Sequence, residues 1–198
     1  MKISRNRLIL GLTIVVTIVS ALAIFWVVRE QREKLQAFLA VKEGVLYRSC
    51  QPSPLEGKKL SRFGITQVIS LRERYEDEST FDEEIAACSR IGVKYVNIPI
   101  GTLLPTDRKV EDFLRLVTAN RGATLVHCEK GKSRTGTMVA CYRIVVEGWD
   151  PARALDDMLQ HGDKSSEEKI SEKKTLLRRV FKDRQAWLER LRNPATKP

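Results

Sequence analysis

The feature that most constrains this chain is the run Ala123-Thr124-Leu125-Val126-His127-Cys128, followed by Glu129-Lys130-Gly131-Lys132-Ser133-Arg134-Thr135-Gly136 and an apolar stretch to Glu147. The first segment has strand character. The last is apolar enough for a buried helix, with Gly148 as its stop. A strand therefore delivers a cysteine into a short loop that ends as a helix N-terminus. In that setting the backbone N–H groups of Glu129, Lys130, Gly131, Lys132, Ser133 and Arg134 can converge on one centre, where the helix dipole is also positive. The result is a cradle for a tetrahedral dianion. The same field stabilises a thiolate at Cys128, so nucleophile and anion site are expected to coincide.

Five residues separate Cys128 from Arg134, whose planar guanidinium can grip two phosphoryl oxygens at once, as a lysine cannot. Gly131 allows a backbone conformation that a side chain would obstruct, and Thr135 can offer its hydroxyl to the departing sulfur. The expected reaction has two steps. Cys128 attacks phosphorus to give a phosphocysteine, and water hydrolyses it, with Arg134 and the loop amides stabilising the equatorial oxygens throughout. No metal or cofactor is required. A nucleotide-binding P-loop is excluded because its leading glycine would fall at Val126. A sulfur-transfer loop also cradles a cysteine, but it does not call for Arg134-Thr135-Gly136, and a purely structural cysteine needs neither Arg134 nor Gly131 at fixed offsets.

Segments rich in β-branched and aromatic residues recur at Val45 to Arg48, Ile65 to Leu71, Val93 to Ile98 and Ala123 to His127. Helical stretches lie between them. One opens at Thr80-Phe81-Asp82-Glu83, of capping-box form, and stops at Gly92; another opens at Asp150-Pro151. This alternation predicts an α/β fold with a central, largely parallel sheet flanked by helices. The expected phosphatase domain spans 44–162. Residues 29–43 form a stalk or first helix before it, and 163–198 a basic amphipathic C-terminal helix carrying Leu176, Leu177, Val180, Phe181, Trp187, Leu188 and Leu191 at three-and-four spacing. That helix is expected to pack on the domain, with an anionic membrane surface as the alternative.

Leu8 to Val28 holds twenty-one residues without a charge, long enough for a helix to cross a bilayer. A single transmembrane anchor over residues 1–28, with a cytoplasmic basic tail, is therefore expected, together with a membrane location. A signal peptide cleaved near Ala21-Leu22-Ala23 is the rival, against which the apolar run continues through Ile24-Phe25-Trp26-Val27-Val28. Which side of the membrane holds the domain stays open. With 35 Lys and Arg against 25 Asp and Glu, the formal net charge is +10, favouring anionic partners. Nucleic acid is not among those expected, because the basic residues are not interleaved with aromatics. Cys50, Cys88, Cys128 and Cys141 show neither disulfide nor zinc spacing.

His127-Cys128-x-x-Gly131-x-x-Arg134-Thr135-Gly136 resembles the signature of the protein tyrosine phosphatase superfamily. Tyr47-Arg48-Ser49-Cys50-Gln51-Pro52, Val68-Ile69-Ser70-Leu71-Arg72, Tyr142-Arg143 and Gly148-Trp149 extend the likeness to its compact dual-specificity-like branch, including atypical plant and fungal members and their bacterial relatives. The resemblance covers about Gly44 to Gly162 and implies the cysteine phosphatase fold. It also implies Cys128 as nucleophile, Arg134 as phosphate ligand, His127 as an orienting residue and Thr135 as the hydroxyl that aids thiolate departure. Family members carry an acid shortly after a strand like Val93 to Ile98, where this chain has Gly101 and Thr102. Asp107 is the candidate proton donor, Asp112 and Glu73 are outsiders, and the competing role for Asp107 is in the first turn of a helix capped by Thr106. The expected substrates are phosphorylated proteins, phosphotyrosine included, or polyanionic phosphates such as phosphoinositides and inositol phosphates, favoured by Lys130 and Lys132. The alternative is an anchored module that binds phosphorylated groups with little or no turnover.

Overall fold

The computed structural model describes residues 13–27, 38–52, 57–101 and 104–192. The chain divides into two compact units, Met1–Gln36 and Ala37–Pro198. In the first, residues 13–27 form helix α1. The expected membrane span is not borne out: among the described residues no helix is long and apolar enough to cross a membrane. Fifteen residues rise only about 22 Å, against a hydrocarbon core of about 30 Å. Residues 8–12 and 28 of the expected span lie outside the described residues.

The second unit is built on a five-stranded sheet of β1 (Leu39–Lys42), β2 (Leu46–Ser49), β3 (Ile65–Ser70), β4 (Lys94–Asn97) and β5 (Ala123–His127), in the order β1-β2-β5-β3-β4. Strands β2, β5, β3 and β4 run parallel, and β1 is antiparallel to β2 along one edge. The predicted α/β fold with a largely parallel sheet is therefore observed, with a mixed edge. Leu39–Lys42 closes that edge as a strand, where the sequence suggests the end of a stalk or helix.

β5 lies between β2 and β3, and all five of its residues are buried. Alternate side chains on β5 serve opposite faces. Ala123 and Leu125 join Tyr47, Leu60, Ile65, Val68, Cys88 and Val93, beneath α2 (Gly57–Arg62) and α3 (Glu78–Arg90). Val126 faces the larger core with α4 (Asp107–Ala119), α5 (Ser133–Val145), α6 (Pro151–Gln160), α7 (Glu167–Lys182) and α8 (Arg184–Arg192). A parallel strand buried on both sides must end at a loop between helices, and here that loop begins with Cys128.

The basic C-terminal stretch folds as two helices rather than the single helix expected. The break falls at Asp183, whose backbone N–H donates to Arg179 O and Phe181 O. Arg184 then turns inward and donates its Nε to Ile144 O and Val145 O at the end of α5. A cation there complements the carbonyl end of the α5 dipole. Leu176, Leu177, Val180 and Trp187 are buried against the domain.

Candidate active site

β5 ends with His127 at full burial, and Cys128 follows, 3% exposed. The loop that follows is held from the β2 side. Gln51 N donates to Glu129 O at 3.0 Å, and the buried Arg48 donates from NH2 to Gly131 O at 2.8 Å. Gly131 has φ +67°, and a side-chain carbon there would lie 2.4 Å from Ser49 O. Both the left-handed backbone and the closeness of β2 require glycine. From Ser133 the chain winds into α5, which buries ten of its thirteen residues. The N-terminal end of that helix is aimed at the loop by its own core packing.

Arg134 sits at the loop mouth. Its guanidinium is bound by the Glu76 carboxylate, with NH2 to Oε2 at 3.1 Å and NH1 to Oε1, and NH1 also donates to Ile100 O at 3.3 Å. Burial would lower the Arg134 pKa, but the Glu76 hydrogen bonds and nearby negative charge outweigh it and raise the value. In Glu76 burial acts to raise the pKa, and the bonds from Arg134, Glu73 N and Arg72 bring it below the ordinary carboxylate range. Thr135 is fully buried, and its Oγ1 has no hydrogen-bond partner among the described residues. Ser133 is partly buried, whereas Glu129, Lys130 and Lys132 are exposed.

A polar chain that the sequence did not reveal runs behind this loop. His127 Nε2 lies 2.8 Å from Glu84 Oε1, and its Nδ1 is 3.3 Å from Cys128 O. Glu84 Oε2 accepts from Gln51 Nε2 at 2.9 Å, and Gln51 Oε1 accepts from Arg72 NH1 at 3.0 Å. Arg72 Nε then reaches Glu76 Oε2 at 3.4 Å, which returns the chain to Arg134. The residue before the cysteine and the guanidinium across the loop are thus joined through four side chains. Glu84 had a sequence signature: it shares a helical face with the buried Phe81 and Cys88, where an apolar residue is expected.

Asp107 lies outside this network. Asp107 opens α4 after Thr106, whose hydroxyl accepts from Lys109 N, and it pairs with Arg179 at 2.7 Å while more than half exposed. Of the outsiders, Glu73 directs Oε1 to within 3.5 Å of where a side-chain carbon on Gly101 would sit, and Gly101 follows the Ile100 carbonyl bound by Arg134. Cys88 and Cys141 are core residues, whose thiols burial pushes up to about 11 and about 12. Among the described residues no group of three or more His, Cys, Asp or Glu is arranged to hold a metal ion.

Similarity to known proteins points the same way. A family described as "DSP-PTPase phosphatase fused to NAD+ kinase" matches residues 18–178. Dual specificity protein phosphatase TpbA of Pseudomonas aeruginosa is 34% identical over 119 residues, covering 59% of this chain and 50% of that protein. Inositol diphosphatase DSP3 of Arabidopsis thaliana is 28% identical, covering 61% and 59% respectively. This chain thus spans about half the length of the curated TpbA relative. A crystal structure of TpbA superimposes with TM-score 0.58 at 31% identity, covering 73% of this chain and 86% of that one. A second TpbA crystal structure, in complex with pTyr, gives TM-score 0.58 at 27% identity, covering 74% and 91%.

Proposed function

We propose that this chain, which belongs to the dual-specificity-like branch of the protein tyrosine phosphatase superfamily, is a cysteine-dependent phosphomonoester phosphatase that accepts phosphotyrosine. The observation that carries this reading is the coincidence of three elements. Cys128 stands at the end of a buried central strand, the loop folds over a glycine that only glycine can replace, and Arg134 rises from the first turn of α5. Cys128 attacks phosphorus, the ester P–O bond breaks as the leaving oxygen departs and takes up a proton, and Arg134 exchanges Glu76 for two phosphoryl oxygens. The loop amides hold the remaining charge, and water then releases phosphate from the cysteine. His127, whose ring lies 2.8 Å from Glu84 and 3.3 Å from the Cys128 carbonyl, orients the nucleophile. The Thr135 hydroxyl, without a hydrogen-bond partner among the described residues, is available to the sulfur as it leaves. Turnover of para-nitrophenyl phosphate that disappears in Cys128→Ser is the expected result. Tight phosphate binding without turnover would instead make the chain a binding module.

Glu73 is better supported than Asp107 as the proton donor to the leaving group. Its carboxylate faces the backbone of Gly101, beside the Arg134 contact at Ile100, whereas Asp107 is engaged by Arg179. An alkoxide needs that proton and para-nitrophenolate does not. Glu73→Gln is therefore expected to slow an alkyl phosphate at least tenfold more than the aryl one, and Asp107→Asn to slow both equally; the reverse pattern returns the role to Asp107.

Inositol phosphates and phosphoinositides are a second substrate class, supported by exposed Lys130 and Lys132 at the loop and by the inositol diphosphatase relative. A panel of phosphopeptides, inositol phosphates and phosphoinositides ranks the classes by kcat/KM.

A further inference from the structure

Helix α7 carries one charged side chain where its pattern calls for an apolar one. Lys173 lies on the same stripe as Leu176, Leu177 and Val180, and it is 4% exposed. Its ammonium has three protons and three acceptors: Asp163 Oδ2 at 2.6 Å, Ser133 Oγ at 2.7 Å and Ser165 Oγ at 2.9 Å. Asp163, also buried, takes two further bonds at Oδ1, from Ser165 N at 3.1 Å and Ser165 Oγ at 2.6 Å. Burial would raise the Asp163 pKa, but the bonds from Lys173 and Ser165 hold it below the ordinary carboxylate range.

A pair that served only to join α7 to the α6–α7 connection would be complete with Asp163 and Ser165. The third proton goes instead to Ser133, the first residue of α5 and the one immediately before Arg134. The same connection also touches the loop at Gly162. There φ is +84°, and a side-chain carbon would come within 3.4 Å of the Lys132 stem. The segment from Gly162 to Lys173 therefore backs the loop at two successive residues, Lys132 and Ser133.

We propose that Lys173 is a positioning residue for the phosphate-binding loop. It holds the Ser133 hydroxyl, and through it the first turn of α5, so that the Ser133 and Arg134 backbone and the root of the Arg134 side chain keep the geometry that receives phosphoryl oxygens. A solvated lysine such as Lys130 exchanges its partners with water. A buried ammonium with every proton committed does not, because leaving any one unmade carries the full cost of desolvation. This inference rests on the reading of Cys128 to Arg134 as a phosphate-binding loop.

The test uses the full chain and measures kcat and KM for para-nitrophenyl phosphate, the inhibition constant of inorganic phosphate and the melting temperature. Ser133→Ala cuts the link, and with it the 3.3 Å contact of Ser133 Oγ with Ser165 Oγ, while leaving the Lys173–Asp163 pair intact. Lys173→Met combined with Asp163→Asn removes the ammonium without stranding a buried carboxylate. Both variants are expected to raise KM and the phosphate inhibition constant by about tenfold, with a smaller fall in kcat, and adding Ser133→Ala to the pair variant is expected to cost nothing further. Unchanged phosphate inhibition with a lower melting temperature alone would overturn the proposal, and so would effects that multiply when all three substitutions are combined. Wild-type protein that does not turn over the substrate would remove the underlying reading of the loop. Wild-type turnover with unaltered variants would remove only the role of Lys173.

Discussion

Two ion pairs touch the same loop from opposite sides, and they differ in the solvent around them. Arg134–Glu76 stands at the mouth, with side chains 20% and 21% exposed, and Lys173–Asp163 sits behind, with 5% and 1%. A pair that water can reach is separable at small cost, so the Arg134 guanidinium can trade one anion for another. A buried pair cannot be traded, because either charge left alone in the interior is strongly unfavourable. The loop thus has an exchangeable front, which suits binding and release, and a fixed back, which suits geometry.

The largest effect that would break this contrast is on stability. Asp163→Ala strands the Lys173 ammonium and is expected to cost about 3 kcal/mol, seen as a fall of roughly 10 °C in the thermal midpoint. A change below about 1 kcal/mol would place that pair in the same class as the front one. Next in size is Arg134→Lys. It keeps the charge but loses the bidentate fork, and kcat/KM should drop about 100-fold while the fold stays intact by circular dichroism.

Glu76→Gln sharpens the contrast from the other side. It weakens the resident competitor for Arg134, so the inhibition constant of inorganic phosphate should fall several-fold, or about 1 kcal/mol, with little change in melting temperature. The smallest effect is on pH dependence. Asp163 and Glu76 both have folded-state values below those of the unfolded chain. Each contributes stability that is fully present above about pH 4 and is lost as pH falls through the depressed folded value. Denaturant melts below pH 4 should therefore show the loss. Asp163→Asn should flatten it at any salt concentration, whereas the Glu76 share should already be reduced at 1 M salt.

Much of the site was legible because its chemistry is local. Cys128, Gly131, Arg134 and Thr135 lie within eight consecutive residues, so the strand, loop and helix preferences of neighbouring residues place them together. Expectations beyond this stretch depended on lengths and partners that neighbouring residues do not fix. Twenty-one uncharged residues met the composition of a membrane span, but the described helix falls short of the required length. Asp107 met the requirement for a nearby carboxylate, and the structure gave it to Arg179, seventy-two residues later. Glu84 and Lys173 left a fainter signal, each a charge in an apolar helical stripe, but periodicity cannot name the partner of such a charge.

The sequence by itself determined the cysteine-bearing loop and the alternation of strands and helices, since both follow from neighbouring residues and their backbone preferences. Only the tertiary structure decided which charges surround that loop. Glu76, Glu84, Asp163 and Lys173 reach it from separate elements, and the worth of each pair depends on burial, a property that exists only once the elements have packed.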